Sequence, residues 1–486
     1  MAGEGFADAL RRRLAQDADR EVIREPQRCL TGGDLLNRAE LIAGWLARQA
    51  ECERATTIGL ALHRNSWMIA AALACWRLGK AALFLDYRLT PTDARSWLRR
   101  AGPVMIVASQ ARLRDAGAGV AIMPDPDTLP AHAFADHDAA PDDISEFVTS
   151  SGVTGEPKIT PISHERLLGM VRASAEDGRR GPWGEALSPL SVAFGGSRHV
   201  WWRNLLAGKR IHAMEMLFST AELDRALREP GVEECGLPPH LIRALLDHAR
   251  RHPGPEPRYP HLLKLHCIGG PARAEDKLAA QQLLCADYLM TYSSTETGVL
   301  ARISGTDLRR KPASCGKVSL PPGARLDIIG EDGARLPVGE AGRIRVSYPA
   351  RSGGDTIHLY PGDHGWIDDE GFLFITGRGA GILCRNGVNF SVAALEAKLM
   401  ASGLLRDVAV LPMRAAAGDD ALAIAVLPLH PGASEIGRNL RRHLVSHEQP
   451  EHLIRLHPTD LTPGGKIPRA ALLERLIAAP QDLEHI

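Results

Sequence analysis

The chain has no surplus of charge of either sign: 58 lysines and arginines stand against 58 aspartates and glutamates over 486 residues. A balanced chain lacks the electrostatic footprint of a dedicated nucleic-acid binder, so no nucleic-acid partner is expected. Its eight cysteines, Cys29, Cys52, Cys75, Cys235, Cys267, Cys285, Cys315 and Cys384, contain no C-x-x-C pair. That scatter argues against a disulfide framework or a zinc clip and suits a reducing, cytoplasmic setting. The first twenty residues are charged and hold no apolar core of a signal peptide, and no apolar run reaches the roughly 20 residues that a spanning helix needs. No membrane partner is expected. There is also no Gly-x-Ser-x-Gly elbow of a serine hydrolase and no Gly-x-Gly-x-x-Gly opening a dinucleotide-binding unit. His248 and His252 have i, i+4 spacing, yet they close a helical pattern beside Arg250 and Arg251, which suits a solvated helix end better than a metal.

What is present is alternation. At this length two or more domains are expected. Helical and strand patterns take turns between residues 31 and 108: helix 34–48 with Thr31 as N-cap, strand 57–62, helix 66–77, strand 81–85, helix 91–99, strand 104–108. This order implies an α/β domain of layered, largely parallel sheets. Ligands of such sheets gather at the carboxyl ends of the strands. Prolines at 124, 126, 130 and 141 mark a long surface connection, and 312–342 is a second punctuated region. After Gly377-Arg378 the pattern restarts as helix 392–400, strand 407–411, strand 421–427, helix 436–445 and strand 453–456. The division expected is a large N-terminal α/β domain of several subdomains, 1–379, and a small α+β C-terminal domain, 380–486.

Chemistry concentrates in four segments. Directly after the apolar stretch 144–148 comes Thr149-Ser150-Ser151-Gly152-Val153-Thr154-Gly155-Glu156-Pro157-Lys158. Glycines let backbone N–H groups approach an anion closely, and Ser and Thr hydroxyls add short donors. The run lacks the Gly-Lys-Ser/Thr ending of a P-loop, which disfavours a Walker-type NTPase. The others are Thr291-Tyr292-Ser293-Ser294-Thr295-Glu296-Thr297-Gly298; Tyr360-Pro361-Gly362-Asp363 followed by Thr376-Gly377-Arg378; and Thr462-Pro463-Gly464-Gly465-Lys466-Ile467-Pro468-Arg469. In order, spacing and residue type the four together resemble the adenylate-forming superfamily: acyl- and aryl-CoA synthetases, adenylation domains of peptide synthetases, and beetle luciferase. The resemblance runs from about residue 30 to the end.

The resemblance implies ATP-dependent activation of a carboxylic acid as its acyl adenylate, with Mg²⁺, followed by transfer to the thiol of CoA or of a carrier protein's phosphopantetheine. Ser150, Ser151, Gly152, Thr154, Gly155 and Lys158 match the loop that grips the β- and γ-phosphates, with Val153 in place of a usual Thr. Tyr292 would stack on adenine, Thr295 would reach the α-phosphate, and Glu296 would hold the metal. Asp363 would take the ribose hydroxyls, and Arg378 would reach the same sugar or the phosphate. Lys466 would bridge the acid's carboxylate and the α-phosphate, stabilising negative charge as it builds up.

Two departures narrow the reading. Amino-acid-activating relatives carry Asp after the Phe equivalent to Phe194, whereas this chain reads Phe194-Gly195-Gly196-Ser197. An α-amino acid loses its counter-ion there. With Trp201, Gly269 and Gly270 the segment suggests a broad, mostly apolar pocket for an aryl or otherwise bulky acid, with Arg198 and His199 as nearby polar candidates. The hinge departs too: Gly377-Arg378-Gly379-Ala380-Gly381 replaces Gly-Arg-x-Asp-Asp, while Gly387 and Glu396 keep the pattern. Ala380 is the expected pivot. The competing readings are an acyl-AMP ligase that serves only a dedicated carrier protein or acyltransferase, and a relative that binds nucleotide or acyl ligand without turnover.

Overall fold

The alternating stretch 57–108 folds as three parallel strands, Thr57–Ala61, Ala81–Phe84 and Val104–Ala108, joined by the crossover helices Asn65–Arg77 and Pro91–Arg100. Every residue of Thr57–Ala61 is buried, as befits a parallel strand covered on both faces. The computed structural model describes residues 4–100, 104–151, 157–175, 184–215, 217–270, 272–294, 297–320, 323–330, 332–349, 356–378, 382–385, 388–414, 420–429, 435–460, 467 and 469–485. The strand Ile144–Ser151 lies parallel beside Ala81–Phe84, and Pro157–Ser163 returns antiparallel along it, completing a six-stranded sheet.

A second sheet, of 14 strands, changes character along its width. Its parallel half takes Glu185–Ser188, Arg210–Ala213, Val232–Leu237, Lys264–Cys267 and Tyr288–Ser294. From Tyr288–Ser294 outwards it is antiparallel: Gly298–Ser304, Gly316–Val318, Phe372–Arg378, Asp363–Ile367, Gly342–Tyr348 and Arg325–Ile329. The punctuated region 312–342 is therefore continuous with the main sheet, because hydrogen bonding crosses from one half to the other without a break. From residue 382 the chain builds its own hairpin, Ile382–Arg385 with Val388–Ser391, and a three-stranded sheet, Leu405–Arg414, Asp420–Pro428 and His452–Arg455. Two apolar clusters of its own cover that sheet. The boundary expected at 379–381 lies outside the described residues.

Local chemistry accounts for the ends of elements. Thr31 closes a capping box on the helix Gly32–Leu46: its hydroxyl accepts from the Asp34 N–H at 3.0 Å, and the Asp34 carboxylate accepts from the Thr31 N–H at 2.8 Å. An element with no clear sequence signal is the first helix, Phe6–Gln16, which buries Phe6, Leu10 and Leu14. Phe6 meets Trp76 and Trp202 edge-on, with ring centroids 5.8 and 5.4 Å apart.

One buried ion pair ties the two sheets together. Glu146, on the strand Ile144–Ser151, accepts from Arg198 Nε at 3.1 and 3.2 Å and from the Trp202 indole N–H at 3.1 Å. Arg198 and Trp202 belong to the helix Gly195–Ala207, which packs on the larger sheet. The guanidinium also lies 4.5 Å over the Phe84 ring and donates to the Val192 carbonyl at 2.9 Å.

Candidate active site

The two strands that flank the serine and glycine run, Ile144–Ser151 and Pro157–Ser163, pair antiparallel at the carboxyl edge of the six-stranded sheet. Ser150 pairs with Lys158 and Ser151 with Pro157 across that ladder. Because Ile144–Ser151 is parallel to Ala81–Phe84, the turn Leu85–Leu89 lies at the same edge. Gly152, Thr154 and Gly155 lie outside the described residues. So do Thr295, Glu296, Ala380 and Lys466, together with the side chains of Ser150, Ser151, Lys158 and Arg378.

Three of the expected nucleotide residues are brought together. The Tyr292 hydroxyl donates to Asp363 Oδ2 at 2.5 Å. Asp363 is buried, 3% exposed, at the start of its strand, and Tyr292 is half-buried on Tyr288–Ser294. Asp363 and Arg378, fifteen positions apart in sequence, are direct partners across the antiparallel ladder of Asp363–Ile367 with Phe372–Arg378. Directly opposed residues keep their Cβ atoms roughly 5 Å apart, so the two positions are neighbours on one rung. Around the Thr295-Glu296 pair the flanks are fixed: Ser294 Oγ accepts from the Thr297 N–H at 3.2 Å, and the Tyr348 hydroxyl donates to the Thr297 carbonyl at 2.6 Å.

Phe194, Gly195, Gly196, Gly269 and Gly270 also converge. The Phe194 ring lies so close over Gly269 that a Cβ added there would stand 2.5 Å from Phe194 Cζ, and one added to Gly196 would stand 3.1 Å from the same ring. Gly195 is open, with only an Arg198 nitrogen at 3.9 Å from such a Cβ. The expectation that Trp201 lines the pocket is corrected. Trp201 is fully buried, packs in the core and donates its indole N–H to Ser188 Oγ at 2.6 Å. Trp202 is equally buried. Arg198 is buried and paired with Glu146.

Two histidines stand on the elements that carry these residues, His199 on the helix Gly195–Ala207 and His266 on the strand Lys264–Cys267. Ser174 Oγ donates to the Val171 carbonyl at 2.8 Å, so at 2.8 Å from His199 Nε2 it accepts from the imidazole. Burial, assisted by Arg203, Arg198 and Arg302, pushes the His199 pKa down to about 4. His266, two residues before Ile268 and the glycine pair, makes a 2.8 Å hydrogen bond with Thr291 Oγ1, and burial with the nearby cations Lys264 and Arg203 pushes it well below its usual range. Both imidazoles are neutral at pH 7. His266 was not singled out in the sequence, although strand alternation in Lys264-Leu265-His266-Cys267 puts it on the face opposite buried Leu265 and Cys267.

The segment expected to deliver Lys466 is anchored on its far side. Arg469 grips the Glu396 carboxylate through two hydrogen bonds, 2.6 and 3.0 Å, and Glu396 also accepts from the Val410 N–H at 2.7 Å.

Comparison with known proteins places these features in a family. A family model described as AMP-binding enzyme matches residues 10–354. The chain is 27% identical over 485 residues to a protein of Salinispora arenicola described as a probable non-canonical nonribosomal peptide synthetase, CymA, a match that takes in 93% of this chain and 6% of that one. The chain thus spans a small part of that relative's length. Among solved structures, the amide bond synthetase McbA of Marinactinospora thermotolerans overlays with a TM-score of 0.80 at 21% identity, covering 96% of this chain and 99% of that one. The o-succinylbenzoate CoA synthetase of Bacillus subtilis, as a double mutant bound to its product analogue OSB-NCoA, overlays at 0.79 with 18% identity, covering 96% and 98%. The same synthetase in complex with AMP overlays at 0.66, covering 96% and 97%. At these identities the likeness is one of fold.

Proposed function

We propose, from the premise that the chain belongs to the AMP-binding enzyme family, that it activates a carboxylic acid lacking an α-amino group as the acyl adenylate and then passes the acyl group to a thiol. The acid is aryl or otherwise bulky, and the thiol belongs to CoA or to a carrier protein's phosphopantetheine. In the first step a carboxylate oxygen attacks the α-phosphorus of ATP and pyrophosphate leaves. In the second the thiol sulfur bonds to the acyl carbon, AMP leaves, and the thiol proton is released.

The observation that carries the reading is the Tyr292, Asp363 and Arg378 group. A buried carboxylate beside a phenol, in backbone register with Arg378, fits a ribose, whose two hydroxyls need an acceptor, next to a base that needs a flat face. Ser150, Ser151, Gly152, Thr154, Gly155 and Lys158 would hold the phosphates, Thr295 the α-phosphate, and Glu296, a hard oxygen ligand, a magnesium ion that neutralises charge on them. Lys466 would supply its ammonium to the same charge. An α-amino acid is disfavoured by the pocket: Glu146, the carboxylate next to the helix Gly195–Ala207, is already bonded to Arg198 and Trp202.

Pyrophosphate exchange into ATP, run over a panel of aromatic, branched and fatty acids, tests the first step. Exchange with at least one acid is expected, falling about 10²- to 10³-fold in Lys466→Ala if that residue acts as one transition-state donor. No exchange with any acid would leave a binding protein without turnover.

A further inference from the structure

The guanidinium of Arg198 is held in place through two of its three nitrogens. Nε donates to both oxygens of Glu146, at 3.1 and 3.2 Å, and Nη1 donates to the Val192 and Ala193 carbonyls, at 2.9 and 3.4 Å. Its Cζ lies 4.5 Å from the centre of the Phe84 ring. These partners are fixed in turn. Glu146, 4% exposed, also takes the Trp202 indole N–H, and the loop before the helix Gly195–Ala207 is tied to Asn65, whose amide donates to the Leu190 carbonyl at 3.0 Å and accepts from the Val192 N–H at 3.0 Å.

That leaves Nη2. An arginine carries five N–H donors, two of them on this nitrogen. Neither has an acceptor among the described residues, although Arg198 is only 3% exposed. Nη2 stands 3.9 Å from the place that a Cβ on Gly195 would take, in space that the glycine leaves open. Gly195 begins the helix; Phe194 gives it no side-chain cap, and its first turn holds no acidic residue. The N–H groups of that turn therefore add donors and the positive end of the helix dipole to the same opening.

The opening thus presents donors and, among the described residues, no acceptor. An acid that places an oxygen there gains a hydrogen bond to a charged group, whereas one that places a methylene there shuts the donor off from water unsatisfied. Glu146 already balances the guanidinium, so a neutral oxygen suits the site better than a second carboxylate, whose charge would be buried without a counter-ion. We infer, on the acid-activating reading above, that Arg198 Nη2 and the opening at Gly195 select an oxo acid: an aryl acid that carries a ketone oxygen besides its carboxylate.

Replacing Arg198 itself would strand Glu146 in the interior, so the variant that tests this is Gly195→Asp. Its Cβ meets open space, and its carboxylate would take Nη2 from the protein's side. Aryl acids that differ only by a ketone in place of a methylene serve as probes: benzoylformate with phenylacetate, benzoylpropanoate with phenylbutanoate, benzoylbutanoate with phenylpentanoate. In at least one pair the wild type should bind the ketone about tenfold tighter or more, measured by calorimetry, and the same ratio should appear in kcat/KM for pyrophosphate exchange. In Gly195→Asp the ratio for that pair should fall to near one while the affinity for ATP holds, which shows that the variant is folded. Lost space alone weakens both members of a pair and leaves their ratio. No preference for the ketone in any pair would overturn the inference, and so would a preference that Gly195→Asp keeps. If no acid of the panel binds while ATP does, the acid-activating reading fails and takes the inference with it. Binding in the expected ratio without exchange would uphold the inference and refute turnover alone.

Discussion

Asp363 is the residue on which the nucleotide reading turns, and its substitution separates that reading from a structural one. Asp363→Ala removes the acceptor of the Tyr292 hydroxyl and, on the proposed function, the partner of the ribose. A hydrogen bond to a charged group is worth roughly 1.5 to 3 kcal/mol, so the KM for ATP should rise by about one to two orders of magnitude while the KM for the acid holds. Tyr292→Phe deletes only the neutral side of the pair and should cost about tenfold at most. If the acid KM rises and the ATP KM does not, Asp363 serves another part of the site. Asp363 and Arg378 stood out in the sequence through the resemblance to the adenylate-forming superfamily, and the structure puts them in register across one ladder. The placing of Trp201 was not legible. Its helix, Gly195–Ala207, buries Arg198, Arg203 and Asn204 as well as the two tryptophans, so no polar face marks which side meets solvent. Those polar groups are tolerated inside because Glu146 and Glu234 accept their hydrogen bonds, and acceptors so far away in sequence leave no local signal.

At the scale of elements, the sharpest constraint is the loop after Lys264–Cys267. Gly269 has φ of +84°, which L side chains rarely adopt, and its missing side chain is what lets the Phe194 ring close over the loop. Gly269→Ala meets both obstacles, so about 1 to 3 kcal/mol of stability should be lost and exchange with bulky acids should fall as the ring is displaced. Gly195→Ala is the contrast: its Cβ would point into open space, and the melting temperature should hardly move. Thermal denaturation of the two variants side by side decides it; equal melting temperatures would mean that the Phe194 and Gly269 contact carries no weight. Strands and helices of the first two hundred residues were readable where periodicity is strong: Val104–Ala108 and Ala81–Phe84 lie where the pattern puts them, to within a residue. The 14-stranded sheet was not readable, since its pairings, such as Gly316–Val318 with Phe372–Arg378, join residues more than fifty positions apart. Nor was the helix Phe6–Gln16, whose Phe6, Leu10 and Leu14 make a narrow stripe among six charged or amide neighbours, Asp8, Arg11, Arg12, Arg13, Gln16 and Asp17.

At the scale of the whole molecule a hinge between the two large sheets is opposed by the Glu146–Arg198 pair, since breaking it would leave a buried charge unpaired at a cost of about 3 to 5 kcal/mol. The C-terminal unit has its own cores, and its strand Val388–Ser391 lies against Ile144–Ser151. On the proposed reading, adenylation needs Lys466 delivered in one stand of that unit and thiol transfer needs the other, with Ala380 as the pivot. Proline fixes φ and drives the residue before it away from helical angles, so Ala380→Pro should hinder the change between the two. The first half-reaction should survive, measured as pyrophosphate released in a single turnover. Thioester formation with the same acid should slow by about tenfold or more, a barrier increase of roughly 1.4 kcal/mol. Thioester formation that keeps pace with adenylation in Ala380→Pro would show instead that the pivot is elsewhere or that both steps run without rotation.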